Sequence, residues 1–332
     1  MGSSTLWITS CGLANSATMD SMKRPRELPI DLRNRSFTLL EAGNEVTRSR
    51  LQHPGLLTPS RGIRVPWGVA QEFDAIIAPI LACTPGAVAC WGTAARLWNL
   101  PLPSHVQSGL NIHLATPKGA NRPRRFGVTG HRLDLQAQDV HLLRGLAVTS
   151  PARTWLDLAG RLATPDLVAV GDAIVCSHQR SFGPNAPALG SVSDLRQVLD
   201  QHSGARGIRS ARAALELIRI GSDSVPETLL RLALLEAGLP EPELNVVIVS
   251  GSGRDVAWPD LAYREYQVSI QYDGAHHLSA EQQGSDARRD NECALAGWTS
   301  LRITKAQIQE LGYAGVARQI RNVLRQRGWN PG

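Results

Sequence analysis

The stretch that most constrains the fold runs from Ser224 to Trp329, where apolar spacing, turn residues and helix caps leave few alternative element orders. Ser224-Val225-Pro226-Glu227 is a helix start with an acidic first turn, and Leu229, Leu230, Leu232 and Leu235 give that helix an apolar face. Gly238 ends it, and Pro240 and Pro242 prevent its continuation. Val246 to Val249 is a run suited to a buried strand, and Ser250 to Gly253 a tight turn. Asp260-Leu261-Ala262 opens a second strand, and the β-prone Gln267 to Tyr272 forms a third that ends in Asp273-Gly274. A polar helix from about Ser285 to Ala296 follows, closed by Gly297-Trp298. Leu301-Arg302-Ile303 is a last strand. The chain finishes on a basic amphipathic helix with Arg318, Arg321, Arg325 and Arg327 around Val316, Ile320, Val323 and Leu324.

Helix, three strands, helix, strand, helix is the core order of the restriction-endonuclease-like fold. Pro259-Asp260 on one strand and Gln271-Tyr272-Asp273 on the next, eleven positions later, match the PD-(D/E)xK arrangement. That chemistry needs oxygen ligands converging on Mg²⁺ (or Mn²⁺), which acidifies water and neutralises the scissile phosphate. Glu227 on the preceding helix is the customary third acid; its other reading is a carboxylate that only serves the helix N-terminus. Asp260 beside Pro259 could merely cap a turn, and Asp273-Gly274 could be a plain turn.

The residues Ser224-x-x-Glu227-Thr228-x-x-Arg231, Gly238-Leu239-Pro240-x-Pro242, Asp260-Leu261-Ala262 and Tyr272-Asp273-Gly274-x-His276-His277 form one block with Asp286-x-x-Arg289-Asp290-Asn291 and Gly297-Trp298-x-x-Leu301-Arg302. This block resembles the actinobacterial relatives of the very-short-patch-repair endonucleases. The resemblance implies metal at Asp260, Gln271 and Glu227, with Asp273 and His277 also in the catalytic set and His276 and Arg289 near phosphate. Two departures matter. Gln271 stands where the family usually has Glu, and an uncharged ligand weakens metal affinity. Asp273 occupies the place of the usual lysine, which leaves His277 as the best candidate general base.

Ahead of this block, residues 36–66 read as a compact helix-turn-helix with a following two-stranded wing. Ser36-Phe37-Thr38 caps a first helix carrying Leu39, Leu40 and Ala42, Gly43-Asn44 turns, and Thr47 caps a second helix at Arg48-Ser49-Arg50-Leu51. In such motifs the start of the second helix faces base edges, which makes Arg48 and Arg50 candidate DNA contacts, with Arg61 and Arg64 near phosphates. A small helical cap with solvated arginines is the bland alternative. Between residues 70 and 180 a helix at Glu72 to Leu81 and an apolar segment at Ala87 to Leu97 precede strands at Asn111 to Ala115 and Val128 to Leu133. The basic loop Lys118 to Arg125 separates those strands. Thr93-Ala94-Ala95 and Thr149-Ser150-Pro151-Ala152-Arg153-Thr154-x-x-Asp157-Leu158-Ala159 resemble the AbiEi-type antitoxin proteins, which implies an N-terminal winged helix that binds DNA. His105, His113, His131 and His141 fall at no metal-ligand spacing and read as ordinary residues. Residues 181–203 are Gly/Pro/Ser/Ala-rich, with a short helix at Ser193 to Leu199, and Arg206, Arg209, Arg212 and Arg219 follow. Those arginines fit a phosphate track or a solvated helix face equally well.

The whole therefore reads as α/β (α+β): 1–30 a disordered leader, 31–68 a winged helix-turn-helix, 69–180 an AbiEi-like mixed domain, 181–222 linker and basic helix, and 223–332 the nuclease-like domain. A formal charge of +6 over 332 residues favours a polyanionic partner. The expected function is DNA binding with Mg²⁺-dependent phosphodiester hydrolysis; the alternative is a non-catalytic antitoxin-like regulator with a degenerate nuclease fold. A homodimer and a cognate toxin or other neighbouring-gene product are further candidate partners. The five scattered cysteines form no CxxC pair and suit a reducing cytoplasm rather than a zinc site or disulfide framework. The opening Met1 to Met19 lacks the basic start of a signal peptide, and no apolar run reaches the roughly 18 residues of a membrane helix.

Overall fold

The computed structural model describes residues 26–69, 73–107, 112–177, 187–273 and 280–331. The fold is mixed α/β, and it divides into two compact units, the first ending at Thr154 and the second beginning at Trp155. Among the described residues no helix is long and apolar enough to cross a membrane.

The first unit starts with α1 (Ile30–Arg33), β1 (Phe37–Thr38), α2 (Leu39–Ala42), α3 (Arg48–Leu51), β2 (Leu56–Leu57) and β3 (Ile63–Pro66). Thr38 and Glu41 form a reciprocal capping box on α2, and the Thr47 hydroxyl accepts from the Arg50 N–H to cap α3. Strands β1 and β2 flank β3, all antiparallel, over a core of Leu28, Leu32, Phe37, Ala42, Val46 and Leu56. Leu28, which composition assigns to the leader, is thus a core residue, because α1 would otherwise leave Leu32 uncovered.

Next come α4 (Phe73–Ala82), β4 (Val88–Ala89), α5 (Trp91–Leu97), α6 (Ser104–Gln107), β5 (Ile112–Pro117), β6 (Val128–Leu133), β7 (Val140–Leu143) and β8 (Leu146–Thr149). Among the described residues these strands form one sheet in the order β6-β5-β4-β8-β7, with β5/β6 and β4/β8 parallel. The helix α7 (Pro151–Leu158) closes the unit and enters the next. The motif residues here have structural work: Thr93, Ala94 and Ala95 are buried, Thr149 and Thr154 hydroxyls lie 2.8 Å apart, and Arg153 pairs with buried Asp139 at 3.1 Å. Strand β7 escaped the sequence reading because its exposed Leu142 breaks the alternation of a half-buried strand.

The second unit continues with α8 (Thr164–Val175), α9 (Val192–Gln201), α10 (Ile208–Leu217) and α11 (Val225–Glu236). Residues 192–217, read from composition as linker and basic helix, are packed structure: Leu195, Val198, Leu199, Ala211, Ala214 and Leu215 are all buried. Small and polar residues hide this core, since Ala211 and Ala214 let α10 lie close on α8. Then come β9 (Ile248–Val249), β10 (Asp255–Ala257), β11 (Leu261–Tyr263), β12 (Val268–Asp273), α12 (Ala280–Leu295), β13 (Thr299–Thr304) and α13 (Lys305–Gln326), the last broken at Gly312, where φ is +64°.

The observed sheet departs from the expected layout in one respect. Strand β12 is central, antiparallel to β11 and parallel to β13, but β9 pairs with β10 in a separate hairpin. The 250–253 turn folds the chain back, with the Ser250 N–H donating to the Arg254 carbonyl at 2.8 Å and Gly253 at φ +80°. Among the described residues, only a bridge between Glu243 and Ala262 extends the main sheet past β11. Leu230, Leu234, Leu261, Ile270, Val316 and Ile320 form the core between that sheet, α11 and α13.

Candidate active site

The site of interest lies where α11 begins beside the β11/β12 pair. Ser224 takes extended backbone angles and its hydroxyl accepts from the Glu227 N–H, the usual device for an orphan amide at a helix start. Glu227 returns the contact: Oε1 accepts from the Ser224 hydroxyl at 2.6 Å and Oε2 from the Asp223 N–H at 2.9 Å. Its carboxylate is therefore fixed and, at 8% exposure, nearly dry.

Antiparallel pairing of Leu261 with Ile270 sets Asp260 across from Gln271. Gln271 Nε2 donates to Asp260 Oδ1 at 2.8 Å, and the Tyr272 N–H donates to Oδ2 at 2.6 Å. Burial, and then the Glu227 and Asp223 carboxylates, push the Asp260 carboxyl up, the two donors pull it back, and the balance is about 7. Asp223 in turn accepts from the Cys176 thiol at 3.0 Å, and burial together with that carboxylate pushes the thiol up to about 12. Glu227 is thus buried, Asp260 half-buried and Asp223 exposed, and the charges of Glu227 and Asp223 both bear on Asp260.

A second, fully buried network holds α11 in place. Arg231 is 0% exposed and pairs with Asp172, itself 1% exposed, at 3.1 Å. Asp172 also accepts from the Thr228 hydroxyl and the Arg219 N–H, each at 2.8 Å. Arg231 donates further to the Leu217 carbonyl and to Glu241. Thr228 and Arg231 sit one and four positions after Glu227, so this network fixes the turn that presents the acid. Sequence reasoning named both residues only as motif members and missed Asp172, Asp223 and Cys176. Asp172 lies on α8 and Cys176 caps that helix's C-terminus, and nothing in the local sequence marks either as part of a site.

The other predicted residues divide sharply. Asp273 ends β12 on the same face as Gln271, two positions on, and lies 3.8 Å from Arg302, which also reaches Asp290 at 3.5 Å. Arg289 is exposed on α12. His276 and His277 lie outside the described residues. In the first unit Arg48 and Arg61 are exposed. Arg50 and Arg64 are half-buried and partly engaged by backbone: Arg50 Nε donates to the Arg26 carbonyl at 2.8 Å, and Arg64 Nε to the Leu51 carbonyl at 2.6 Å. Arg209 and Arg212 lie on the exposed side of α10, and exposed Arg206 precedes its N-cap, Gly207. One pair was not foreseen: on adjacent strands, His113 Nδ1 and His131 Nε2 lie 2.9 Å apart, with Trp91 stacked on both rings. Parallel register between β5 and β6 creates that proximity, which linear spacing cannot reveal.

Asp260, Glu227 and Gln271 supply two carboxylates and an amide, the oxygen donors that Mg²⁺ or Mn²⁺ takes. Among the described residues no three His, Cys, Asp or Glu side chains close into a ready-made cage. The crowding of Asp260 by Glu227 and Asp223 is nonetheless the field that a cation relieves, so the donor chemistry fits.

Two proteins of Mycobacterium tuberculosis, one from strain CDC 1551 / Oshkosh and one from strain H37Rv, both described as uncharacterized, are similar to this chain. Each is 29% identical over 274 residues, covering 80% of the chain and 93% of the relative. An alignment of 274 residues is longer than either unit, so the likeness takes in parts of both. No family model and no solved structure matches.

Proposed function

We propose that this chain binds duplex DNA through its first unit and that its second unit is a Mg²⁺- or Mn²⁺-dependent, endonuclease-like hydrolase of phosphodiester bonds. The observation that carries this reading is the Asp260–Gln271 bond across the strand pair, with the fixed, buried Glu227 carboxylate close enough to bear on Asp260. On this reading residues 223–332 take a restriction-endonuclease-like arrangement, as the resemblance to very-short-patch-repair relatives implies. The β1–β3 region with α2 and α3 is then a winged helix of the AbiEi-type kind.

Asp260, Gln271 and Glu227 would hold the cation, which supplies charge neutralisation at the phosphate and acidifies water. Asp260 is oriented by the Tyr272 N–H, so its second oxygen keeps one direction. Glu227 is held by the helix start and cannot swing away. Asp273, 3.8 Å from Arg302, is assigned to that arginine and not to the cation. His277 remains the candidate general base.

The test is cleavage of supercoiled, nicked and mismatched DNA by the full chain across a Mg²⁺ and Mn²⁺ titration. The reading predicts cleavage that Asp260→Ala abolishes while DNA binding survives, and that Gln271→Glu raises. Absence of cleavage by both the natural chain and Gln271→Glu overturns it. One observation favours a second reading, a non-catalytic DNA-binding regulator that works as a homodimer or with a cognate toxin: the neutral Gln271 amide already satisfies one Asp260 oxygen. That reading predicts salt-dependent promoter binding that Asp260→Ala leaves unchanged.

A further inference from the structure

Between Thr116 and Leu133 the sequence carries five cations, Lys118, Arg122, Arg124, Arg125 and Arg132, and no carboxylate. The structure uses some of them to lock the loop in place. Arg122 Nε donates to the Gly130 carbonyl at 2.6 Å, and the Thr116 hydroxyl donates to the Asn121 carbonyl at 3.1 Å. A Cβ on Gly130 would meet the Pro123 carbonyl oxygen at 2.1 Å, so the loop folds back on its own strand only because residue 130 is glycine.

The loop is also fastened to the β2–β3 turn. Arg125 Nη2 donates to the Arg61 carbonyl at 2.5 Å and Nη1 to the Cys83 carbonyl at 3.3 Å. At Gly127, φ is +75° and an added Cβ would stand 3.3 Å from the Pro59 carbonyl oxygen. Residues 59–61 and 125–127 are therefore neighbours. This leaves Arg61, Arg124 and Phe126 exposed on adjoining backbone, Phe126 to 82%. Lys118 is exposed too but paired with Asp134 at 3.0 Å. Rigid backbone that presents cations and an aromatic ring outward matches a polyanion whose charges are regularly spaced.

We infer that the loop Lys118–Phe126 and the β2–β3 turn form one composite DNA-contacting surface, with Arg61 and Arg124 on backbone phosphates and Phe126 against the sugar of the same strand. This rests on the DNA-binding reading above. It relocates much of the contact from the start of α3, where Arg50 is tied to backbone, to a loop more than fifty residues further along the chain.

The experiment measures affinity of the full chain for a fluorescent duplex as KCl is raised. Arg61→Ala and Arg124→Ala are each expected to weaken binding and to lower the salt slope by about one, and the double variant by about two. Arg124→Lys is expected to keep the slope, and Phe126→Ala to weaken binding with the slope unchanged. Lys118→Ala is expected to have the smaller effect of an already paired cation. Affinities and slopes equal to the natural chain's in Arg61→Ala, Arg124→Ala and Phe126→Ala, with Arg48→Ala still impaired, overturn the composite surface and leave DNA binding standing. A natural chain that binds no duplex overturns both.

Discussion

The acidic site of the second unit and the basic face of the first are built on opposite terms. Glu227 is taken out of water and Asp260 half-buried, both held by fixed donors, so their mutual repulsion is felt. Arg61 and Arg124 stay in water, where each costs the fold little and is open to a partner. Burial thus concentrates electrostatic energy in one place, and exposure leaves charge available in the other. The same residue type changes role with that variable: Arg231 and Arg64 are structural, Arg61 and Arg124 are not.

The largest effect expected from this contrast is at the buried pair. Asp172→Ala or Arg231→Ala strands a charge in the interior and should lower stability by about 3–5 kcal/mol, read by urea unfolding of the second unit. A loss under about 1 kcal/mol would mean that the pair does not brace α11.

Asp260 gives the next effect, and its sign is definite. A carboxyl raised from about 4 to about 7 stabilises the fold fully below the lower value and loses that contribution as pH rises through the upper one. Asp260→Asn should therefore raise the melting temperature at pH 8 and leave it unchanged near pH 4. An equal shift at both pH values would show that the carboxyl is not perturbed.

Smaller still are the local arginine and cap effects. Arg64→Ala removes a bond to the Leu51 carbonyl and should cost about 1 kcal/mol, whereas Arg48→Ala should stay within about 0.5 kcal/mol. Thr47→Ala, at a helix cap, should cost about 1 kcal/mol. Reversal of the two arginine results would break the division between bracing and exposed cations.

Element identity was legible wherever a local rule operated. The Ser224 cap, the Thr38 and Thr47 caps and the β12 run of Val268 to Asp273 follow from residues near one another in sequence. The Asp260–Gln271 contact was legible for the same reason, since a strand pair with a short connection fixes its register. Long-range packing was not legible. Asp172 meets Arg231 across fifty-nine positions, and nothing near either residue announces the other. The backbone bonds of Arg50 and Arg64 escaped because a guanidinium that donates to a carbonyl has the same sequence as one that faces water. The separate β9–β10 hairpin escaped because the hydrophobic run at Val246 to Val249 does not say which strand it will join.

Metal binding tests the central claim most directly. Isothermal titration of Mn²⁺ into the full chain should show a site that Asp260→Ala removes and Asp273→Ala retains, because Asp273 is engaged by Arg302 and stands outside the proposed donor set. A natural chain that takes up no Mn²⁺, or an Asp260→Ala variant that binds it as the natural chain does, would contradict the account.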